Sequence, residues 1–218
     1  MTSQDAIGVV DYGMGNLRSV GKALESLGFR TVVSGSGAEL SRCRGIVLPG
    51  VGAFRDCMLN LGRQGLLRFL SDVLAEGRPF LGICLGLQVL FAESEEFGRY
   101  AGIGHFPGRV VRFPGAMRAD GRPLKVPHMG WNRVDFTAAH PALRGIPSGS
   151  YFYFVHSYYV VPDDPGVVVC RTSYGVDFTS AVGRGNLLAV QFHPEKSQAA
   201  GLSVLSNFGR LCRDAACA

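Results

Sequence analysis

The sequence predicts an α/β fold, an open and mostly parallel central sheet flanked by helices, with an additional small antiparallel or mixed sheet. Up to Glu93, short apolar runs alternate with amphipathic stretches, which is typical of parallel strands joined by crossover helices. After residue 105, short strand-like runs are separated by Gly and Pro turns, which indicates antiparallel pairing. The 218 residues suffice for one full core, so we expect a single domain over 1–218 with its core at about 6–212.

The elements of the first half follow from apolar runs and from the glycines that end them. Strands are predicted at 6–10, 31–33 and 45–48, and helices at 17–27 and 65–76. The glycines of the loop at 12–16 do not form a dinucleotide-binding fingerprint, because Arg18 stands where that motif has its third glycine. They more simply serve a tight turn.

The stretch Gly-Ile-Cys-Leu-Gly-Leu-Gln at 82–88 lies between an apolar run at 79–81 and a helix-like run at 87–93. The pattern G-x-C-x-G at a strand-to-helix junction predicts a nucleophile elbow with Cys84 at its tip. Its glycines let neighbouring elements approach closely, and the helix that follows directs amide donors at the sulfur, which favours a thiolate. The amide of Leu85 is left free to donate to an oxyanion. The alternative is a buried, inert core cysteine.

A cysteine nucleophile needs a base, and His193 is the best candidate. It ends an apolar strand-like run in the sequence His-Pro-Glu. Residues two apart in an extended segment face the same way, so His193 and Glu195 can share a face, and the carboxylate would orient the imidazole. The alternative is an ordinary polar strand end.

Gly50 and Gly52 follow the strand predicted at 45–48. The carboxyl ends of parallel strands are where open α/β sheets bind ligands, and flexible backbone there would let a peptide amide face the cysteine pocket. An ordinary strand-to-helix turn is the alternative.

The second half of the chain is predicted to be rich in strands. They are expected at 108–114, 125–127, 133–136, 151–161, 167–171 and 178–182, with a closing amphipathic helix at 202–211. Trp131, in a turn-rich segment, is either partly buried packing or an exposed aromatic anchor for a partner. His156 is interpreted as a satisfied core histidine.

Composition excludes several classes of function. Twenty-two Lys and Arg against 17 Asp and Glu give a net charge of +5, but the basic residues are scattered, so we expect no nucleic-acid partner. Six cysteines without a C-x-x-C pair favour reduced thiols in a cytoplasm, and no spacing suggests a metal or another cofactor. Neither an apolar leader nor an apolar run of membrane-spanning length is present, so we expect no membrane association.

Taken together, the motif around Cys84 and the motif Gln-Phe-His-Pro-Glu-Lys-Ser at 191–197 resemble the class I glutamine amidotransferases. This resemblance implies a flavodoxin-like fold and a triad of Cys84, His193 and Glu195. Four further stretches resemble the glutaminase subunits of imidazole glycerol phosphate synthases within that family. They lie at 11–20, 49–54, 125–132 and 153–159, and the whole resemblance runs from about 7 to 208.

The resemblance also implies roles for other residues. L-Glutamine would be hydrolysed to glutamate and ammonia without a cofactor, and the ammonia would pass to a (β/α)-barrel cyclase subunit in a heterodimer. The oxyanion hole would comprise Val51, Gly52 and Leu85. The substrate would be bound by Gly50, Gln88, Ser157 and Tyr158. The partner would be contacted by Asn16, Met129, Trp131, Tyr153 and Lys196.

Three alternatives stay open at this point. One is a glutaminase that serves another synthase, such as that of pyridoxal phosphate, although the stretches at 125–132 and 153–159 argue against it. Another is a catalytically silent scaffold, whose usual signature, a lost triad, is absent from this sequence. The third is a cysteine peptidase built on the same elbow.

Overall fold

The computed structural model describes residues 5–119 and 121–215. The helices are α1 Leu17–Ser26, α2 Gly37–Leu40, α3 Phe54–Arg63, α4 Leu66–Ala75, α5 Leu85–Gln88 and α6 Gln198–Asp214. The strands are β1 Ile7–Val10, β2 Thr31–Ser34, β3 Gly45–Gly50, β4 Phe80–Cys84, β5 Phe91–Ser94, β6 Tyr100–Ala101, β7 Phe106–Arg112, β8 Arg118–Ala119, β9 Arg122–Pro123, β10 His128–Phe136, β11 Ser150–His156, β12 Tyr158–Pro162, β13 Val168–Ser173, β14 Asp177–Arg184 and β15 Leu187–Val190. Short 3-10 turns lie at Pro141–Leu143, Pro165–Val167 and Pro194–Lys196.

One large sheet organises the molecule. Its parallel part has the order β2-β1-β3-β4-β15, and it continues through antiparallel pairs into β14, β12 and β7. Strand β10 pairs with β11 and β13, while β8 and β9 form a small separate sheet. The predicted fold class is confirmed, and most of the antiparallel strands extend the central sheet rather than forming a layer of their own.

Strands β1, β3, β4 and β15 are buried on both faces, as their continuous apolar runs predict, whereas the edge strand β2 is partly exposed. In β1, Ile7 and Val9 join a core with residues of α1 and α6, whereas Val10 joins a second core with residues of α3 and α4. The same alternation along β3, β4 and β15 places helices on both sides of the sheet. No helix among the described residues is long and apolar enough to cross a membrane.

Local helix propensity was misleading directly after the elbow. The helix expected at 87–93 is wrong, because α5 ends at Gln88 and strand β5 begins at Phe91. Strand β5 pairs with β6 and β7 and buries Phe91, and this long-range pairing outweighs the local preference. A helix of one turn has only a small macrodipole, so its effect on Cys84 is mainly that of the nearby amides.

Two strand predictions also needed correction. No strand covers 125–127, and β10 begins at His128, so Trp131 lies within a strand rather than in a turn-rich segment. The strand expected at 151–161 is interrupted at Ser157, where β11 ends and β12 begins. The interruption lets β11 pair with β10 while β12 pairs with β7 and β14.

The elbow packs unusually close to its neighbouring strand. A Cβ added at Gly86, in α5, would overlap the backbone carbonyl oxygen of Leu48 in β3. Backbone cannot move aside as a flexible side chain can, so this position needs glycine for space. The close approach sets the depth at which α5 lies on the sheet and thereby the position of Cys84.

We expect Gly86→Ala to lower the free energy of unfolding by about 3 kcal/mol, the upper end for overpacking, because the added methyl meets rigid backbone. Gly115→Ala is the matched control, since nothing lies within 4 Å of a Cβ added there. Chemical denaturation of both variants measures the difference. Equal stability of the two would show that α5 can shift away from β3 at little cost.

Candidate active site

Cys84 ends β4 at the carboxyl edge of the parallel strands. Its backbone has φ 56° and ψ −106°, a conformation that residues other than glycine seldom adopt. Such strain costs about 1–3 kcal/mol and persists only where the surroundings enforce it. Here β3 and β15 pair with β4 on either side. The geometry is that of the nucleophile elbow.

His193 and Glu195 lie together in the turn that follows β15. The Nδ1 atom of His193 is 2.9 Å from Oε1 of Glu195, and the side-chain amide of Asn16 donates to the same oxygen at 3.2 Å. Their side chains are almost wholly buried, with exposed fractions of 2% and 0%. The two residues do not share a face of an extended strand. Pro194 opens a 3-10 turn, closed by the amide of Lys196 donating to the His193 carbonyl, and the turn brings the carboxylate back to the ring.

The imidazole of His193 is strongly basic in this setting. Burial alone would favour the neutral ring, but interactions with the Cys84 sulfur and the Glu195 carboxylate stabilise the imidazolium and raise the pKa of His193 to about 10. Burial opposes ionisation of Glu195 too, but His193 holds the pKa of that carboxyl below its usual range. The arrangement favours an ion pair between a cationic histidine and a carboxylate.

A cavity of about 300 Å³ opens above Cys84. It is lined by Val51, Gly52, Cys84, Leu85, Gln88, Glu96, Pro127, Val155, His156, Ser157, Tyr158 and His193. The structure thus brings most of the substrate and oxyanion residues expected from the sequence to one place. Gly50 is not among the lining residues; it packs behind Leu85 and Tyr12.

The residues expected to contact a partner lie on the surface beside this cavity. Met129 and Trp131 project from β10 with exposed fractions of 61% and 46%, and Trp131 is paired across the strands with Tyr153 of β11. The ammonium of Lys196 lies 5.9 Å from the centre of the Tyr153 ring. Asn16 is the exception, because its side chain is hydrogen bonded to Glu195.

Sequence reasoning missed Glu96 and Gln191. Glu96 lines the cavity, and its Oε2 accepts a hydrogen bond of 2.7 Å from the amide of Phe54, at the start of α3. Burial raises the pKa of Glu96. Gln191 is fully buried beside Cys84. The sequence held one signal for Gln191, because it is a polar residue inside the apolar run that precedes His193. Glu96 stands in a polar loop, where nothing distinguishes it from its neighbours.

His156 is a satisfied core histidine, as interpreted. Its Nδ1 donates to the Tyr158 carbonyl at 2.9 Å, and its Nε2 is 2.9 Å from Nδ1 of His128. Burial lowers the pKa of His156 to about 3 and that of His128 to about 4, so both rings are neutral. Within 5–119 and 121–215, no group of three or more His, Cys, Asp and Glu residues could hold a metal ion.

The sequence model described as glutamine amidotransferase class-I matches residues 8–211. The chain belongs to this family. Among class I amidotransferases, the imidazole glycerol phosphate synthase subunit HisH of Geobacter sulfurreducens is 52% identical over 94% of this chain and 98% of its own length. The subunit of the same name from Syntrophotalea carbinolica is 55% identical over 92% of this chain and 98% of its own length.

Solved structures agree on the fold of this amidotransferase. A crystal structure of a glutamine amidotransferase superposes with a TM-score of 0.72, covering 95% of this chain and 99% of that one. The identity is only 20%, so this likeness shows the fold alone.

Replacement of Glu195 by glutamine should lower the pKa of His193 well below its wild-type value of about 10, because the carboxylate that stabilises the imidazolium becomes neutral. Titration of the His193 ring by NMR measures it. Glu25→Gln, at the exposed end of α1, serves as the control and should leave that titration unchanged. A His193 titration in Glu195→Gln that matches the wild type would remove Glu195 from this role.

Proposed function

We propose that this chain is the glutaminase subunit of an imidazole glycerol phosphate synthase, which hydrolyses glutamine and supplies ammonia to a cyclase subunit. The observation that carries the proposal is that Cys84 and His193 line one cavity while Glu195 is hydrogen bonded to the His193 ring. The relatives that are half identical over nearly the whole chain support the choice of synthase.

The reaction begins with attack of the Cys84 thiolate on the side-chain amide carbon of glutamine. His193, held as imidazolium by Glu195, donates its proton to the departing ammonia, and a glutamyl thioester remains. His193 then accepts a proton from water, which attacks the thioester carbon and releases glutamate. Glu195 acts as a positioning residue, since it orients the ring through Nδ1.

The oxyanion of each tetrahedral intermediate is assigned to backbone donors. The Leu85 amide is the first of α5 and has no partner within that helix. The second donor would come from the loop of Val51 and Gly52, which lines the same cavity. Gly52 has φ 94°, a conformation that favours glycine and lets the peptide turn toward the substrate. Each such donor is worth about 3–4 kcal/mol in comparable enzymes.

The α-ammonium and α-carboxylate of glutamine require opposite partners. The carboxylate of Glu96 and the side-chain oxygen of Gln88 line the cavity and suit the ammonium group. The backbone amides of Ser157 and Tyr158, at the break between β11 and β12, and the Ser157 hydroxyl suit the carboxylate. Gly50 would act indirectly, since its close packing fixes the loop on which Val51 and Gly52 lie.

The exposed aromatic face of β10 and β11 is proposed as the docking surface of the cyclase. Trp131 and Tyr151 are large exposed aromatics, and Met129 extends the surface. Such residues are typical anchors of protein interfaces. Lys196 and Tyr153 continue this surface toward the triad, and the side chain of Asn16 contacts Glu195. A partner bound here would therefore lie close to Cys84, where ammonia is released. A (β/α)-barrel partner belongs to this proposal.

The proposal includes one domain and a reducing compartment. The family match over 8–211 supports a single amidotransferase domain. The described cysteines other than Cys84, namely Cys43, Cys57, Cys170 and Cys212, are free and buried, which suits a reducing cytoplasm. Cys217 lies outside the described residues.

The proposed activity is tested by glutamate release from glutamine. We expect a low rate from the chain alone, a strong rise when a cyclase subunit with bound nucleotide ligand is added, and a loss of at least about 10³-fold in Cys84→Ala. Cys57→Ala is the control, because that buried thiol lies outside the cavity and burial raises its pKa to about 12. Equal activity with and without the partner would indicate a free-standing amidase, and no activity in either case a scaffold.

The proposed docking surface is tested by titrating the cyclase subunit. We expect Trp131→Ala to weaken binding on the order of 30-fold, as for an interface aromatic worth about 2 kcal/mol. Leu59→Ala, which removes another exposed apolar side chain from α3, should leave the affinity unchanged. Calorimetry or interferometry measures both. Wild-type affinity in Trp131→Ala would move the interface away from β10.

A further inference from the structure

A chain of hydrogen bonds links Tyr158, at the start of β12, to the sulfur of Cys84. The Nε2 group of Gln88 donates to the Tyr158 carbonyl at 3.0 Å and to Oε1 of Gln191 at 3.0 Å. The Nε2 group of Gln191 donates to Sγ of Cys84 at 3.5 Å. Gln88 is 4% exposed and Gln191 0%. Two buried amides are thus aligned behind the nucleophile.

The direction of this chain is set by a group that can only accept. A backbone carbonyl has no proton to donate, so Gln88 must present its NH2 group to Tyr158. Its NH2 group also reaches Gln191, which must therefore present its oxygen to Gln88. The NH2 group of Gln191 is then left facing the sulfur. Turning Gln88 around would set its oxygen against the Tyr158 carbonyl oxygen, and turning Gln191 around would set its NH2 group against that of Gln88. Either mismatch is costly in a buried site.

A neutral histidine reinforces this direction. Nδ1 of His156 donates to the same Tyr158 carbonyl at 2.9 Å, so both lone pairs of that oxygen are occupied. The carbonyl is held in place by Gln88 and His156 together, and with it the orientation of Gln88.

The Cys84 sulfur has one hydrogen-bond acceptor and one hydrogen-bond donor beside it. The Val155 carbonyl lies 3.9 Å from Sγ and can only accept, so it favours a protonated thiol. The amide of Gln191 can only donate through Nε2, so it favours the thiolate. Gln191 is tied by its own backbone amide to the Ser180 carbonyl at 2.8 Å, and it lies two residues before His193. One segment thus delivers both a donor and the proposed base to Cys84.

We propose that Gln191 is a further catalytic residue, whose side-chain N–H group holds the Cys84 sulfur as a thiolate. The part that Gln191 plays in glutamine hydrolysis rests on the proposed function. Gln191 transfers no proton. The sulfur lone pair forms the S–C bond, the C–N bond breaks, and His193 protonates the leaving ammonia. When water cleaves the thioester, the S–C bonding pair returns to sulfur beside the same N–H group.

The experiment is alkylation of Cys84 by iodoacetamide at neutral pH, followed by peptide mass spectrometry. It reads the thiolate directly and needs neither glutamine nor a partner. Gln191→Met keeps the length of the side chain and removes the donor. We expect its rate constant to fall roughly tenfold, as for loss of a hydrogen bond to a charged group. Ser180→Ala is the matched control, since Ser180 is equally buried and its hydroxyl has no hydrogen-bond partner among the described residues.

Glutamine kinetics separate the donor role from mere positioning. Loss of the donor lowers kcat together with alkylation, whereas loss of support for Gln88 alone would raise KM and leave alkylation at the wild-type rate. The second result would overturn the inference. A third result would separate this inference from the proposed function. If Cys84 is alkylated faster in the wild type than in Gln191→Met, but neither protein hydrolyses glutamine, the proposed function is contradicted and the donor role of Gln191 stands.

A measurement on the intact side chain covers the case in which Gln191→Met does not fold. The Nε2 proton signals of Gln191 are compared by NMR between the wild type and Cys84→Ala. Removal of the acceptor should shift one of them, and identical signals in the two proteins would overturn the inference.

Discussion

The strained turn at Cys84 is the constraint on which the rest of the site depends. A φ of 56° at a residue with a side chain is maintained because β3 and β15 hold β4 from both sides and α5 lies against the Leu48 carbonyl through Gly86. Cys84 is the last residue of β4 and therefore stands at the carboxyl edge of the parallel strands. The loop after β3 and the turn after β15 lie at that same edge, so Val51, Gly52 and His193 line one cavity with Cys84.

The antiparallel half of the sheet serves both the cavity and the outer surface. Alternation along β11 buries Phe152, Phe154 and His156, while Tyr151 and Tyr153 lie toward the outside. The backbone of Tyr153 is also joined to the segment 193–197: its carbonyl accepts from the His193 amide at 2.9 Å, and its amide donates to the Ser197 hydroxyl at 2.9 Å. A partner bound to β11 would therefore contact a strand that is hydrogen bonded to the segment carrying the imidazole.

Buried histidines in this protein differ in charge although burial favours the neutral ring in each. Burial raises the pKa values of the core thiols, including those of Cys57 and Cys212 to about 12, and it leaves His128 and His156 neutral. His193 is buried as well, but charged and polar neighbours outweigh the loss of solvent and keep its ring cationic. The partners that a group finds, rather than its depth, decide which buried groups can take part in acid–base chemistry.

The sequence by itself determined the fold class and the residues around Cys84 and His193, because both are written in short patterns. Apolar periodicity identifies strands and helices locally, and an elbow is a motif of a few adjacent residues. Tertiary structure decided what depends on distant segments. It ended α5 at Gln88 because β5 pairs with β7, and it brought Glu195 to His193 by a turn instead of an extended strand. It also placed Glu96 at the cavity and Gln191 beside the Cys84 sulfur, because packing joins residues that are far apart in the chain.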